Sequence, residues 1–233
     1  MDLIDLSTRR GSTEDFEDFL RRLCARLGVD YASYATINPV SGAVQGYATY
    51  GEAWKRHYMD QRLHLIDPTL HKPALSIAPV DWSRFDRDAQ FRKVFDAARD
   101  FGVASQGITV PIRGPWGDRG LLSVTAAMSD HDWRLLTRQM VGDLQMAAVH
   151  MHDAVMRSGL LLPQMALPQL SAREREVLQW VAAGKNQQDV GDILGISIRT
   201  VEVHLRSARE KLGALTTVQA VGRAVAMGLI HPR

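Results

Sequence analysis

Hydrophobic residues recur at helical spacing in four segments of the first two thirds of the chain. The first segment begins at the capping sequence Ser12–Asp15 and ends at Gly28, with its apolar side chains on one face. The other three predicted helices cover about residues 52–64, 88–101 and 130–157. Each helix is amphipathic, so each is expected to cover a shared apolar core.

Between these helices the pattern changes to runs that favour β-strands. Runs 31–37 and 43–50 flank a turn that contains Pro, Ser and Gly, and runs 107–112 and 120–127 flank Gly114–Gly117. Each pair predicts an antiparallel hairpin. Helices that pack on such hairpins predict an α+β fold whose N-terminal part is an α/β/α sandwich with a central antiparallel sheet.

The last third of the chain carries a different pattern. Ser171 and Glu174 have the spacing of a capping box, which predicts the start of a helix that ends near Gly184. A short helix over 187–194, a glycine turn and a longer helix over 198–212 follow. This order indicates a C-terminal all-α helix-turn-helix domain.

Length and composition fit two folded domains. The chain has 233 residues, of which 45% are hydrophobic and 23% charged. The uncharged, proline-containing segment 158–170 is interpreted as linker, which predicts domains at 1–160 and 170–233 joined by 161–169. Cys24 is predicted to be a buried thiol. No apolar run approaches the roughly 18 residues of a membrane span, so a cytoplasmic protein is expected.

Basic charge is concentrated in the predicted C-terminal domain. From Ala166 onward nine Lys or Arg stand against six Asp or Glu, whereas the preceding residues carry nineteen against twenty. The longest helix of this domain has one apolar stripe, formed by Val201, Leu205, Ala208 and Leu212. Positive charge on a helix-turn-helix favours binding to DNA. The alternative is a helical bundle whose charges are merely solvated.

The other faces of that helix carry side chains that suit base edges and phosphates. In a major groove, Arg206 is suited to guanine, Glu202 to the N4 amino group of cytosine, and Val203 to the methyl group of thymine. Phosphate contacts are assigned to Arg199, Arg209 and Lys211. The full set of predicted DNA-binding residues is Lys185, Arg199, Thr200, Glu202, Val203, Arg206, Arg209 and Lys211.

Several motifs of this domain resemble the DNA-binding domain of LuxR-type transcription regulators. The matching segments are 170–185, 193–201, His204, 211–214, 219–221 and 228–230. Glu174, Leu178 and Gly184 match signature positions of that family. The sequence departs from the family pattern at Asn186, Gly191 and Ser207, where threonine, alanine and asparagine are common. Gly191 lies within a predicted helix and is expected to destabilise it by roughly 0.5–1 kcal/mol unless it permits close packing.

A candidate ligand site lies in the N-terminal region. Trp54 and Tyr58 are four residues apart on one helix face, and Asp67 precedes a proline, so two aromatic rings and a carboxylate are spaced to converge. A buried carboxylate requires hydrogen-bond donors, and a ligand amide N–H supplies one without adding charge. In residue type and spacing the region resembles the autoinducer-binding domain of quorum-sensing LuxR-type proteins. The segments that carry this resemblance are Tyr50, Trp54, Tyr58, Asp67–Pro68, Trp82 and 101–111.

The resemblance implies an N-acyl homoserine lactone as ligand and a role for each residue. It implies that the Trp54 indole N–H reaches the lactone carbonyl and that Asp67 accepts from the ligand amide. Tyr50 and Ser123 are implied to reach the acyl carbonyl. Tyr58 and Trp82 are implied to pack on the lactone and tail, and Phe95 and Thr109 to line the pocket. The predicted ligand-binding residues are Tyr50, Trp54, Tyr58, Asp67, Trp82, Phe95, Thr109 and Ser123. The alternative is that the aromatic residues form ordinary core and Asp67 caps the next turn.

Other functions are less consistent with the sequence. His57, Asp60 and His64 share a helix face, but the two histidines lie two turns apart, about 10.5 Å, so no metal site is expected. Segment Gly102–Gly107 is similar to a nucleophile elbow, but it has one residue too many before the serine and precedes a strand. A lactone-processing enzyme is therefore disfavoured. A related regulator that binds a different small molecule is the nearer alternative.

One helix-turn-helix covers one half-site, so a homodimer on double-stranded DNA with an inverted repeat is expected. The apolar stripe of the predicted helix 130–157 is a candidate dimer surface, with packing inside the domain core as the alternative. Its members are Leu135, Leu136, Met140, Leu144, Ala147, Ala148, Met151 and Val155. RNA polymerase is a further candidate partner, and no cofactor, metal or membrane partner is expected.

Overall fold

The computed structural model describes residues 12–37, 44–114, 117–159 and 168–231. The chain folds into two compact units, and residues 168–231 belong to the second. The turn predicted after residue 37 and most of the linker predicted at 161–169 lie outside the described residues.

The described part of the N-terminal unit contains one five-stranded antiparallel sheet. Its strands are β1 (Tyr31–Ile37), β2 (Val44–Ala48), β3 (Val80–Asp81), β4 (Gly107–Arg113) and β5 (Arg119–Thr125). The spatial order is β2-β1-β5-β4-β3. Both predicted hairpins are confirmed, because β1 pairs with β2 and β4 pairs with β5. The edge strand β3 was not predicted, since two residues are too few to show a hydrophobic period.

The helices of this unit follow the predicted segments with one correction. They are α1 (Thr13–Leu27), α2 (Glu52–Asp60), α3 (Pro68–His71), α4 (Ala89–Arg99) and α5 (Asp130–Ser158). The helix predicted to reach residue 64 ends at Asp60, because Arg62 takes a left-handed conformation with φ of 51°. Pro68, expected to end a helix, instead begins the short helix α3, which Asp67 caps.

Two layers of helices enclose the sheet. Helices α1 and α5 cover one face, where the Tyr34 hydroxyl lies 2.7 Å from Nδ1 of His152. A Cβ atom at Gly120 would lie 2.4 Å from that nitrogen, so a side chain there would displace the ring. Helices α2 and α4, with a cluster of aromatic rings, cover the other face. The predicted α/β/α sandwich is confirmed.

Six of the eight residues in the predicted apolar stripe of α5 lie in the core, whereas Leu136 is partly buried and Leu135 is exposed. The buried members of the stripe are Met140, Leu144, Ala147, Ala148, Met151 and Val155. The interpretation of this stripe as a dimer surface is therefore wrong, and its alternative, core packing, is confirmed. Large apolar side chains of α5 that are exposed are Leu135, Met146 and Val149.

The C-terminal unit is all-α. Its helices are α6 (Ala172–Ala182), α7 (Gln187–Leu194), α8 (Ile198–Lys211) and α9 (Thr217–Ala226). The predicted helix-turn-helix is confirmed as α7, a turn through Gly195, and α8, which Ser197 caps. A Cβ atom at Gly191 would lie 2.8 Å from the carbonyl oxygen of Ile196, so this glycine permits close packing of the turn against α7. Within the described ranges, no helix has both the length and the apolar character needed to cross a membrane.

Candidate functional site

A cavity of about 350 Å³ lies in the N-terminal unit, between the sheet and helices α2 and α4. Aromatic rings and short apolar side chains dominate its walls, with a few polar groups among them. This composition is typical of small-molecule sites. The predicted ligand-binding residues that line the cavity are Tyr50, Trp54, Tyr58, Asp67, Trp82 and Phe95.

Asp67 is the buried carboxylate of the cavity. The Tyr58 hydroxyl donates to one of its oxygens at 2.6 Å, and the Thr69 backbone N–H donates to the other at 2.8 Å. The bond from Thr69 caps α3. The alternative interpretation, in which Asp67 caps the next turn, is therefore confirmed as one part of its role. Burial raises the pKa of Asp67 above its ordinary value, although the hydrogen bonds from Tyr58 and from the backbone and side chain of Thr69, and the nearby His71, act in the opposite direction. The hydrogen bonds within the chain therefore do not fully offset the burial of this carboxylate.

Two tyrosines border this carboxylate. Burial, together with the negative charge of Asp67, raises the pKa of Tyr58. Burial also raises the pKa of Tyr50, against a smaller opposing effect of hydrogen bonding to Ser33. Both phenols are therefore neutral over the ordinary pH range and can donate as well as accept hydrogen bonds.

The two tryptophans of the cavity differ in what their indole N–H groups do. The Trp54 ring packs on Tyr58 and Phe101, with centroids 5.5 and 5.4 Å apart, and its N–H donates to no residue in the described part of the chain. The Trp82 N–H donates to Oγ1 of Thr109 at 2.9 Å. Trp54 therefore keeps a donor for a ligand, whereas Trp82 presents its ring.

Thr109 and Ser123 do not line the cavity, in contrast to the expectation for these two residues. Their hydroxyl oxygens lie 2.8 Å apart. Oγ1 of Thr109 also accepts the hydrogen bond from the Trp82 indole N–H. A Cβ atom at Gly107 would lie 2.6 Å from the Trp82 ring, so the ring occupies the space that a side chain on β4 would take. These residues support the wall of the cavity.

Sequence reasoning missed six polar residues that line the cavity, namely Glu17, Ser33, Gln45, Lys55, His64 and Thr69. Ser33 lies opposite Ser123 in the pairing of β1 with β5, a register that periodicity alone does not reveal. Thr69 follows Asp67 by two residues, so a capping role for Asp67 would have placed Thr69 beside it. His64 lines the cavity, and its Nδ1 is buried without a hydrogen-bond partner in the described residues.

The exposed side of α8 carries the predicted base-reading residues. Glu202, Val203 and Arg206 are exposed, with Val203 at 54%. The buried stripe predicted for the opposite side of α8 is confirmed, because all four of its residues belong to the core of this unit. Lys185 and Arg199 are also exposed, whereas Thr200 and Arg209 are half-buried.

Lys211 was assigned to a phosphate, but it binds within the C-terminal unit. Its Nζ lies 2.8 and 2.9 Å from the two carboxylate oxygens of Glu174 on α6. The Ser207 hydroxyl and the Ser171 backbone N–H also donate to Glu174, each at 2.7 Å. Burial alone would raise the pKa of Glu174, but these donors outweigh it and lower the pKa to about 2. Lys211 thus joins α8 to α6.

No group of three or more His, Cys, Asp or Glu residues in the described ranges is arranged to hold a metal ion. The neighbourhood of His57 consists of aromatic rings, with Trp54 at 5.9 Å and Phe101 at 5.1 Å between centroids.

Two family profiles match the chain. The autoinducer binding domain matches residues 12–155, and the profile described as bacterial regulatory proteins, luxR family, matches residues 168–224. A cavity-bearing α/β/α domain followed by a helix-turn-helix defines a two-domain transcription regulator. The chain belongs to the LuxR family of these regulators.

Relatives and solved structures agree with this family. Transcriptional activator protein RaiR of Rhizobium etli is 36% identical over 170 residues, which cover 72% of this chain and 70% of RaiR. The HTH-type quorum-sensing regulator RhlR of Pseudomonas aeruginosa is 32% identical over 223 residues, or 91% of this chain and 88% of RhlR. A crystal structure of Escherichia coli SdiA is similar with a TM-score of 0.79 and 26% identity, covering 97% of this chain and 95% of SdiA. A structure of SdiA in complex with octanoyl-rac-glycerol has a TM-score of 0.76 and 25% identity, covering 99% and 95%.

Proposed function

We propose that this protein is a quorum-sensing transcription factor that binds an N-acyl homoserine lactone in the N-terminal cavity and binds DNA as a homodimer. The observation that carries the ligand class is the cavity itself. It combines a buried carboxylate, whose burial outweighs its hydrogen bonds within the chain, with a tryptophan N–H that has no partner in the described residues. An acyl homoserine lactone offers one amide N–H, two carbonyls and an apolar tail.

The proposed pose follows from this complementarity. Asp67 accepts from the ligand amide, and the Trp54 indole donates to the lactone carbonyl. The acyl carbonyl accepts from Tyr50, whose hydroxyl neighbours Ser33. The tail then extends along β2, where Val44 and Ala48 line the cavity.

The DNA half of the proposal places α8 in the major groove. Arg206, Glu202 and Val203 read bases, while the α8 N-terminus and Arg199 contact phosphates. Two copies related by a two-fold axis bind half-sites whose centres lie about 34–36 Å apart. We place the N-terminal dimer contact on the exposed apolar side chains of α5 rather than on its buried stripe.

Thermal denaturation tests the ligand class. Acyl homoserine lactones from butanoyl to dodecanoyl are added to the full-length protein at about 100 times Kd, where binding is expected to raise Tm by roughly 5–10 °C. The rise depends on tail length and disappears in Asp67→Ala. The matched control is Asp60→Ala, which removes an exposed carboxylate from the end of α2 and leaves the rise intact. No rise with any lactone would exclude this ligand class.

DNA binding is tested separately on the same chain. Arg206→Ala is expected to weaken binding to an inverted-repeat operator by on the order of 1–3 kcal/mol, about tenfold to a hundredfold, without a change in lactone affinity. Arg175→Ala removes an exposed arginine from α6 and serves as the control. Equal losses of DNA and lactone binding would contradict the division of labour between the domains.

Ligand binding is proposed to favour the homodimer by stabilising the N-terminal core. Size-exclusion chromatography at several protein concentrations should show a larger dimer fraction with saturating lactone than without. The same monomer fraction under both conditions would refute this coupling.

A second candidate ligand class is an acylglycerol. The specific observation that favours it is the SdiA complex with octanoyl-rac-glycerol, since SdiA shares the fold over nearly the whole chain. Octanoylglycerol therefore belongs in the same thermal panel as octanoyl homoserine lactone. A rise in Tm with the acylglycerol alone would favour this second class.

A further inference from the structure

A second concavity, the α4 groove, lies beside helix α4 in the N-terminal unit. It has a volume of about 700 Å³ and is bordered by α4 and by the segments 103–106 and 126–130. The buried apolar residues that line it are Phe91, Phe95, Val103 and Ala126. A groove of this size with an apolar lining is large enough to hold a small molecule.

Two arginines that border the α4 groove have no carboxylate partner in the described part of the chain. Arg87 and Arg92 are both exposed, and Nη1 of Arg92 donates to the carbonyl oxygen of Arg87 at 2.7 Å. The Arg87 guanidinium lies 5.2 Å from the centroid of the Phe91 ring, so its charge lies beside the apolar lining. The third arginine of the groove, Arg99, instead pairs with Asp96. Two positive charges are therefore available to an anion.

The border of the groove outside α4 carries hydrogen-bond acceptors. Nε2 of Gln106 donates to Oδ1 of Asp130 at 3.1 Å, and both residues line the groove. Oε1 of the same amide is buried and accepts no hydrogen bond within the described ranges. A buried amide oxygen without a donor is unfavourable, so this border favours a molecule that brings an O–H group.

These features together define the chemistry of a ligand. Guanidinium groups bind carboxylates through paired, charge-assisted hydrogen bonds. The rings of Phe91 and Phe95, with centroids 4.4 Å apart, favour an aromatic body over a purely polar one. The amide oxygen of Gln106 requires a donor. The complementary molecule is a small aromatic acid that carries a hydroxyl group away from its carboxylate.

We propose that the α4 groove is a second ligand site, distinct from the ligand cavity, and that it binds small hydroxylated aromatic acids. The carboxylate of the acid binds Arg87 and Arg92, its ring packs on Phe91, and its hydroxyl donates to Gln106. Each of these groups is left without such a partner by the described chain itself.

The second site is coupled to the first through shared side chains. Phe95 and Val103 border both the groove and the ligand cavity, and their exposed fractions are 7% and 6%. An acid packed against these side chains restricts them, and a ligand in the cavity contacts the same two residues. Bound acid should therefore change the affinity of the cavity for its ligand by about fivefold. This coupling rests on the proposed function, whereas binding of the acid does not.

Ligand-observed NMR on the full chain tests the site with 4-hydroxybenzoate as the probe. The wild type is expected to bind it more tightly than benzoate, which lacks the hydroxyl, and than 4-cresol, which lacks the carboxylate. Arg87→Gln and Arg92→Gln should each weaken its binding about tenfold. The matched control is Lys93→Gln, which removes an exposed cation of α4 that does not border the groove and should bind as the wild type does.

A variant that fills the groove locates the binding. Ala127 is exposed and borders the groove but not the cavity. Ala127→Trp should abolish binding of 4-hydroxybenzoate, and its control, Ala127→Ser, should preserve it. No binding to the wild type, or equal binding to the wild type and Ala127→Trp, would overturn the site.

The coupling is measured last, on the same proteins. The Kd of N-octanoyl homoserine lactone is determined with and without saturating 4-hydroxybenzoate, and the change should be absent in Ala127→Trp. An unchanged Kd in the wild type would overturn the coupling. A wild type that binds the acid but no lactone would support the groove site and contradict the proposed function, so the two failures are distinguishable.

Discussion

Two buried carboxylates, one in each unit, have opposite environments. Glu174 lies among a lysine, a serine hydroxyl and a backbone N–H, and its pKa falls to about 2. Asp67 accepts hydrogen bonds from a neutral phenol and from the backbone and side chain of Thr69, but burial outweighs them and raises its pKa. Burial alone therefore does not indicate what a charged group is for. Donors of the chain offset burial at Glu174 and do not offset it at Asp67, where the proposed ligand amide would add a donor.

The largest expected effect concerns Glu174. A pKa lowered from 4.5 to about 2 corresponds to on the order of 3 kcal/mol of stability at neutral pH, and Glu174→Gln should lose most of it. Hydrogen exchange of the α6 and α8 amides in the full chain measures the loss. The control, Glu176→Gln, removes an exposed carboxylate from the same helix and should change little. Similar losses in both variants would contradict the special role of Glu174.

Acidification should change the contributions of the two carboxylates to stability in opposite directions. The stabilisation by Glu174 is present above pH 4.5 and is lost as the pH falls toward 2, because its folded pKa lies below the ordinary value. Asp67 acts with the opposite sign, since its raised pKa favours the protonated form in the folded state. On acidification the stability gap between wild type and Glu174→Gln should narrow, while the wild type should gain relative to Asp67→Asn. Melting curves at stepped pH give both trends, and parallel trends would refute the contrast.

Removing a single donor should give a smaller effect. Ser207 donates to Glu174 at a position where asparagine is common in the family. Ser207→Ala should destabilise the α6–α8 contact by about 1 kcal/mol. Ser207→Asn keeps a donor and should lose less. Equal exchange protection in wild type and Ser207→Ala would show that Lys211 and the Ser171 N–H satisfy the carboxylate without Ser207.

The smallest change in stability is expected at Asp67. Without ligand, Asp67→Asn removes a buried charge whose burial outweighs its hydrogen bonds, so the free energy of unfolding, measured by thermal denaturation, should stay within about 1 kcal/mol of the wild-type value or rise. Asp60→Asn controls for the loss of one negative charge. Marked unfolding of Asp67→Asn would place Asp67 with Glu174 as a structural carboxylate.

The sequence predicted the helices of the C-terminal unit more accurately than the contacts that support the cavity wall in the N-terminal unit. Helices α7 and α8 and the buried stripe of α8 follow from caps, a glycine turn and helical spacing, all of which are local signals. The pairing of Lys211 with Glu174 was not predicted, because Glu174 is 37 residues away along the chain. Spacing within one helix cannot reveal a contact between two helices.

In the N-terminal unit, residue spacing and the family resemblance together predicted six residues that line the cavity, but they did not predict the residues that support them. Thr109 and Ser123 lie behind Trp82 because of the β4–β5 register, which is set by tertiary packing. The early end of α2 depends on the backbone conformation of Arg62, which residue type does not indicate. The α5 stripe was equally compatible with a core and with an interface, since both bury the same side chains.

The unequal hydrogen bonding of the two cavity tryptophans has an optical consequence. The Trp82 N–H is already bonded to Thr109, whereas the Trp54 N–H is open to the proposed ligand. Filling of the cavity should therefore change the emission of Trp54 in particular, against a background from the other four tryptophans of the chain.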